Sequence, residues 1–100
     1  MFGKLFKKNN FAKLIEGGAI ILDVRSPDEF AAGSAKNSIN IPLGELPQNI
    51  TSLKAKNIPV ICVCAVGVRA ASAKSKLSSE GIEAYNGISW NKMSQIVGKK

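Results

Sequence analysis

Two short apolar runs restrict the folds open to this chain more than any other feature of its sequence. The segments AIILDV (residues 19–24) and VICVC (residues 60–64) are almost entirely apolar and rich in β-branched Val and Ile. Continuous runs of this kind are typical of strands buried on both faces of a parallel sheet. Helical patterns lie between and around the runs. We therefore predict an α/β sandwich with a mainly parallel central sheet and helices on both faces.

The segment after the first strand has the signals of a short, capped helix. Ser26 is a candidate N-cap, Pro27 suits the first helical position, and Glu29 completes a capping box. Gly33 closes the helix. We interpret Glu29 as a cap rather than a catalytic group.

The rest of the chain continues the alternation of helices and strands. Apolar residues recur at helical spacing, and glycines mark helix ends at 17–18 and 81. The predicted helices cover residues 11–16 (capped by Asn10), 46–53, 69–80 and 90–97. A further strand covers 38–43, and a short strand with a turn covers 82–87. No linker interrupts the series, so we expect a single domain over residues 1–100, with a basic N-terminal extension at 1–9 and a tail at 98–100.

The charge of the chain does not predict a nucleic-acid partner. The formal net charge is +7, from 14 basic and 7 acidic residues, and many of the lysines lie near the two ends. Nucleic-acid binding favours basic stripes interleaved with aromatic residues, whereas the few aromatics here do not interleave with the lysines. We interpret the terminal lysines as solvated.

The sequence also lacks the usual signals of export and membrane insertion. No apolar run approaches the ~20 residues that a membrane helix needs. The start, MFGKLFKKNN, is interrupted by lysines where a secretory signal would stay apolar. Two cysteines in such a chain argue against a disulfide scaffold. We expect a cytoplasmic protein with no membrane span.

The segment Cys64–Arg69, here called the cysteine loop, joins the second apolar run to the next helix. Gly67 permits a sharp turn, and the backbone N–H groups at the helix N-terminus form a site for an anion. The helix dipole can stabilise an anion by up to ~2 kcal/mol, enough to lower the pKa of a thiol from ~8.5 towards ~7. Arg69 adds a permanent cation. The pattern fits an activated nucleophile at Cys64 and, equally well, a buried core thiol.

The remaining residue types exclude several other kinds of site. The chain has no histidine, which excludes a Cys-His pair and a Ser-His-Asp triad. Two cysteines alone do not supply the usual zinc ligands, so we expect no metal site. Cys62 lies on the same side of its strand as Cys64 but inside the sheet, so we interpret it as a core residue.

Several motifs in order resemble the rhodanese family of single-domain sulfurtransferases, over roughly Asn10 to Met93. They are ILDVRSPDEFAAG, INIPL, CAVGVRA and NGISW. The resemblance implies a three-layer sandwich and no cofactor. It also implies that Cys64 takes a sulfur from thiosulfate or a persulfide donor, which is a small molecule or a protein. The backbone of Ala65, Val66, Gly67, Val68 and Arg69 would cradle that sulfur, and cyanide or a thiol would remove it.

The loop length and its apolar residues refine this expectation. Four residues separate Cys64 from Arg69, one fewer than in the related phosphatases and arsenate reductases, so the loop favours one sulfur atom over a tetrahedral oxyanion. Ala65 replaces a residue that is often polar in the family, and Ser34 replaces its usual histidine. An apolar rim predicts a persulfide donor rather than thiosulfate.

Two residues outside the cysteine loop are also candidates for the site, and two other functions stay open. Asp23 and Arg25 lie on one side of their strand and are expected to support the neighbouring loops; direct substrate contact is the alternative. The other functions left open are a non-catalytic interaction or regulatory module and an oxyanion-processing enzyme.

Overall fold

Four parallel strands form the centre of the computed structural model, which describes residues 8–100. The strands are β1 (Ile20–Asp23), β2 (Ile39–Asn40), β3 (Val60–Cys64) and β4 (Ala84–Ser89). Their order across the sheet is β2-β1-β3-β4, and each neighbouring pair runs parallel. Every residue of β3 is buried, as its continuous apolar run predicted.

Within the described residues, five α-helices and one 3-10 helix lie between and around the strands. The helices are α1 (Lys8–Glu16), α2 (Pro27–Ala32), α3 (Ile50–Lys56), α4 (Val68–Ser79) and α5 (Trp90–Val97), and the 3-10 helix is Leu43–Asn49. The capping box predicted for α2 is present, with the Glu29 N–H donating to Ser26 Oγ at 3.3 Å and Pro27 at the first helical position.

The core lies in two clusters, one on each face of the sheet. Residues from successive positions of β3 alternate between them, with Cys62 and Cys64 in one cluster and Ile61 and Val63 in the other. Helices α3 and α4 cover the first face, and α1 and α5 cover the second. This arrangement confirms the predicted α/β sandwich of three layers with helices on both faces.

Some predicted boundaries were wrong. The first helix begins at Lys8 rather than after Asn10. The helix predicted over 46–53 is instead a 3-10 helix followed by α3, with Pro47, which has no N–H to donate, inside the 3-10 segment. Strand β2 has only two residues. The predicted basic extension at 1–9 falls mostly outside the described residues.

The last three residues, predicted as a tail, are bonded to another part of the chain. Ala35 and Lys99 form an antiparallel bridge. The Lys100 N–H donates to the Ser34 carbonyl at 2.9 Å, and the Lys36 N–H donates to the Gly98 carbonyl at 2.8 Å. The chain end is therefore anchored beside the segment that follows α2.

Candidate active site

The cysteine loop connects the C-terminal end of β3 to the N-terminus of α4. Helix α4 begins at Val68, one residue earlier than predicted. Gly67 is its N-cap, with φ 100°, in the left-handed region that favours glycine. A Cβ at Gly67 would lie 3.1 Å from Ile88 Cγ2. Both the backbone angle and the close neighbour therefore favour glycine at this turn.

The sulfur of Cys64 occupies the position of a helix-capping acceptor. The N–H groups of Gly67 and Ala70 donate to Sγ at 3.0 and 3.3 Å. The N-cap residue itself, Gly67, makes no side-chain capping hydrogen bond to α4. Ala70 is the third residue of α4, where helix N–H groups lack partners within the helix. The residue itself is only 1% exposed, so the sulfur sits beneath the loop.

The two cysteines of β3 have pKa shifts of opposite sign. Burial alone would raise the pKa of Cys64, but backbone hydrogen bonds from Ala70, Gly67, Val66 and Arg69 lower it below its ordinary value. Burial, together with the nearby charge of Cys64, raises the pKa of Cys62 to about 12. Both thiols are free. The hydrogen bonds therefore favour the thiolate of Cys64, whereas burial favours the protonated thiol of Cys62.

The guanidinium of Arg69 binds a carboxylate on another helix. Arg69 Nη1 and Nη2 donate to Glu29 Oε1 and Oε2 at 2.8 and 3.1 Å. The contact, helped by the Ser26 N–H, lowers the pKa of Glu29 to about 2. The pKa of Arg69 is raised first by Glu29 and, to a smaller extent, by attraction to Cys64. Arg69 therefore lies within electrostatic reach of the sulfur, but its charge is already paired.

The cysteine loop carries exposed apolar side chains. Val66 and Val68 are 74% and 72% exposed, and Ala65 is also exposed. Ile88, near the end of β4, is 47% exposed and lies next to Gly67. We call Val66, Val68 and Ile88 the apolar rim.

The contributions of β4 and α2 to this site were missed by the sequence reasoning. In β4, Gly87 is an extra residue relative to β3, which makes a bulge. Ile88 there has φ 71°, its N–H donates to Asn86 Oδ1 at 2.8 Å, and Asn86 Nδ2 donates to the Gly67 carbonyl at 3.3 Å. A glycine within a predicted strand was the available signal for the bulge. No comparable signal marks Glu29 as a partner of Arg69.

Asp23 and Arg25 form a buried ion pair beside the site. Arg25 Nη2 donates to Asp23 Oδ2 at 2.8 Å, and the two residues are 4% and 0% exposed. The same nitrogen donates to the Gly33 carbonyl at 2.7 Å, and the guanidinium lies 4.8 Å from the centre of the Trp90 ring. Arg25 Nη1 also donates to the Glu29 carbonyl at 3.3 Å, so the pair holds the C-terminal end of α2 and the backbone of Glu29.

The described part of the chain contains no group of three or more Cys, Asp or Glu residues placed to hold a metal ion. Within the same residues, no helix is long and apolar enough to cross a membrane.

Two curated proteins are similar to much of the chain. It is 33% identical over 67 residues to a tRNA sulfurtransferase of Thermoplasma acidophilum, covering 67% of this chain and 13% of that protein. It is 36% identical over 69 residues to the uncharacterised protein YqhL of Bacillus subtilis, covering 68% of this chain and 54% of the relative. The chain thus spans at most about half the length of either relative.

The chain is also similar to a solved structure and to a family model. A rhodanese with anions from E. coli superposes with a TM-score of 0.73 at 28% identity, over 83% of this chain and 98% of the other. This likeness confirms the rhodanese-like architecture predicted from the sequence. The Rhodanese-like domain model matches residues 7–91, a range that includes the whole cysteine loop. Because that match covers most of its length, the chain belongs to the rhodanese-like domain family.

Proposed function

We propose that this chain is a rhodanese-type sulfurtransferase that carries a sulfane sulfur on Cys64. The observation that supports the proposal most is the pair of backbone N–H groups, from Gly67 and Ala70, that converge on Cys64 Sγ. They stabilise a thiolate without a histidine or a metal. The relative named as a tRNA sulfurtransferase supports the same class of chemistry.

The reaction has two displacement steps. In the first, the Cys64 thiolate attacks the outer sulfur of thiosulfate or a persulfide; the donor S–S bond breaks, and sulfite or a thiolate leaves. Cys64 then carries one additional sulfur as a persulfide anion. In the second, cyanide or an acceptor thiolate attacks that outer sulfur, and the Cys64 thiolate is restored. Electrons balance without another reactant, and the scheme predicts ping-pong kinetics.

The cysteine loop would hold the outer sulfur during the transfer. In this proposal the N–H groups between Ala65 and Arg69 cradle the persulfide anion, with α4 adding its dipole. No resident cofactor is needed. The donor is thiosulfate or a low-molecular-weight or protein persulfide, with the apolar rim favouring the persulfide, and the acceptor is cyanide or a thiol, including a thiol on a protein. Two free cysteines are consistent with the cytoplasm, where thiols stay reduced.

A second candidate function is a rhodanese-like module that binds a partner without turnover. The 1% exposure of Cys64 and the exposed apolar rim favour this alternative, because the surface offers contact area while the thiol is shielded. The two functions differ in one measurable property, the uptake of sulfur by Cys64.

Intact-mass analysis tests the proposal on a matched pair of variants. The wild-type protein and the variants Cys64→Ser and Cys62→Ser are mixed with thiosulfate or an alkyl persulfide, after circular dichroism has shown that each is folded. We expect a mass gain of one sulfur atom, reversed by cyanide, in the wild type and in Cys62→Ser but not in Cys64→Ser. Full loading of Cys64→Ser, or no loading of the wild type by either donor, would refute the mechanism.

A further inference from the structure

Glu29 makes more contacts than a capping residue needs. The Ser26 N–H and Oγ both donate to Glu29 Oε1 at 3.1 Å, which completes the cap of α2. The same carboxylate accepts both hydrogen bonds from Arg69, a residue 40 positions later in the chain. The cap explains the first set of contacts. It does not explain why a negative charge is held against Arg69.

The negative charge of Glu29 reduces the positive charge that Arg69 provides near Cys64. Arg69 is the cation of the cysteine loop, and Val66 and Val68 provide only apolar surface around it. Asp23 already neutralises Arg25, the other arginine near α2. With Arg69 paired, the cysteine loop attracts an anion through its N–H groups and the dipole of α4, but it has no unpaired cationic side chain to attract a second negative charge.

We infer that Glu29 determines which sulfur donor this site accepts: by neutralising Arg69, it disfavours dianionic thiosulfate and favours persulfides of low charge. The inference rests on the sulfurtransferase function proposed above and assigns Glu29 the role of a specificity residue that acts through Arg69. Arg69 and Glu29 are each 38% exposed in their side chains, so the pair is accessible to solvent and its influence decreases as salt increases.

The capping box provides a way to separate the structural role from the electrostatic one. Glutamine also completes a capping box, so Glu29→Gln keeps an acceptor for Ser26 while it removes the charge that pairs with Arg69. The variant Ser26→Ala makes the opposite change, since it weakens the cap and leaves both charges in place. A purely structural Glu29 predicts that the two variants behave alike.

The experiment compares two donors on these variants. Rates of sulfur loading are measured by intact mass with thiosulfate and with an alkyl persulfide. For Glu29→Gln we expect the thiosulfate rate constant to rise about three- to tenfold, the size expected when one screened surface charge acts on a dianion. The alkyl persulfide rate should stay within about twofold, and Ser26→Ala should leave the ratio of the two rates unchanged. High salt should abolish the gain.

A second measurement does not depend on sulfur transfer. Alkylation of Cys64 by anionic iodoacetate is compared with alkylation by neutral iodoacetamide, and Glu29→Gln should raise the ratio of these rates in the same direction. If no form takes up sulfur but this ratio rises, the proposed function fails and the electrostatic role of Glu29 stands. If the wild type loads sulfur while Glu29→Gln changes neither ratio, the specificity role is wrong and the sulfurtransferase remains.

Discussion

Replacement of Gly67 by alanine should disturb both the stability of the fold and the reactivity of Cys64. Gly67 has φ 100°, and a Cβ there would lie 3.1 Å from Ile88 Cγ2 and 3.5 Å from Ile88 Cα. Gly81 provides a matched control. Its φ is 85°, but the nearest atoms to a new Cβ are at the flexible end of Lys54, 3.9 Å away.

The expected magnitudes follow from these two environments. Alanine in a left-handed backbone conformation destabilises the folded protein by roughly 1–2 kcal/mol, and this cost applies to both variants. Only Gly67→Ala must also displace Ile88, and we assign about 1 kcal/mol to that contact, at the low end for overpacking. Gly67→Ala should therefore lower the free energy of unfolding by about 2–3 kcal/mol and Gly81→Ala by about 1–2 kcal/mol.

The reactivity of Cys64 gives an independent measure of the same change. The Gly67 N–H donates to Cys64 Sγ at 3.0 Å, so a displaced turn weakens a hydrogen bond that favours the thiolate. A loss of ~1 kcal/mol there would raise the pKa of Cys64 by roughly 0.7. Gly81→Ala should not change this pKa.

Urea denaturation and the pH dependence of iodoacetamide alkylation, followed on Cys64, provide the two readouts. Equal destabilisation in the two glycine variants, with an unchanged pKa of Cys64 in both, would refute the view that Gly67 is required by its contact with Ile88 and by its bond to the sulfur.

Three further changes test the same description of the site. Cys64 should alkylate with a midpoint below ~8.5, the ordinary pKa of a thiol. Because its folded pKa is lowered, the stability from its thiolate is present above the unfolded pKa and lost as the pH falls through the folded one; a midpoint at or above ~8.5 in the alkylation profile would contradict the hydrogen-bonded thiolate. Asp23→Asn leaves the buried charge of Arg25 without its carboxylate, so we expect a loss of about 3 kcal/mol in urea denaturation, and a loss below about 1 kcal/mol would be inconsistent with a structural ion pair. A glycine inserted between Val66 and Gly67 should lower the rate of sulfur loading, measured by mass spectrometry, and improve the binding of inorganic phosphate, measured by calorimetry. A wild-type protein that already hydrolyses aryl phosphates and takes up no sulfur would favour the oxyanion enzyme instead.

The parts of the fold with strong local signals could be predicted from the sequence. The continuous apolar run of β3 and the helix that follows it predicted a buried parallel strand with Cys64 at its end. The capping box placed α2 correctly because its three residues are close in sequence. The positions of Cys62 inside the strand and Cys64 at its end, beside the loop, were also as predicted.

Contacts between residues far apart in the chain could not be predicted in the same way. The pairing of Arg69 with Glu29 depends on how α2 and α4 are placed around the sheet, and nothing in the local sequence of either helix specifies it. The bridge between Ala35 and Lys99 is another example, since residues 98–100 read locally as a charged chain end. Charged residues satisfy many local patterns equally well, so only the tertiary structure selects their partners.

The bulge in β4 also affects how this molecule meets others of its kind. β4 is an outer strand of the sheet, where a regular strand would present evenly spaced N–H and C=O groups to a strand from a neighbouring molecule. At Ile88 the backbone leaves the extended conformation, and the side chain of Asn86 accepts the hydrogen bond of its N–H. The outer edge therefore loses its regular repeat next to the cysteine loop. The distortion that places Ile88 at the apolar rim also protects this edge from edge-to-edge aggregation.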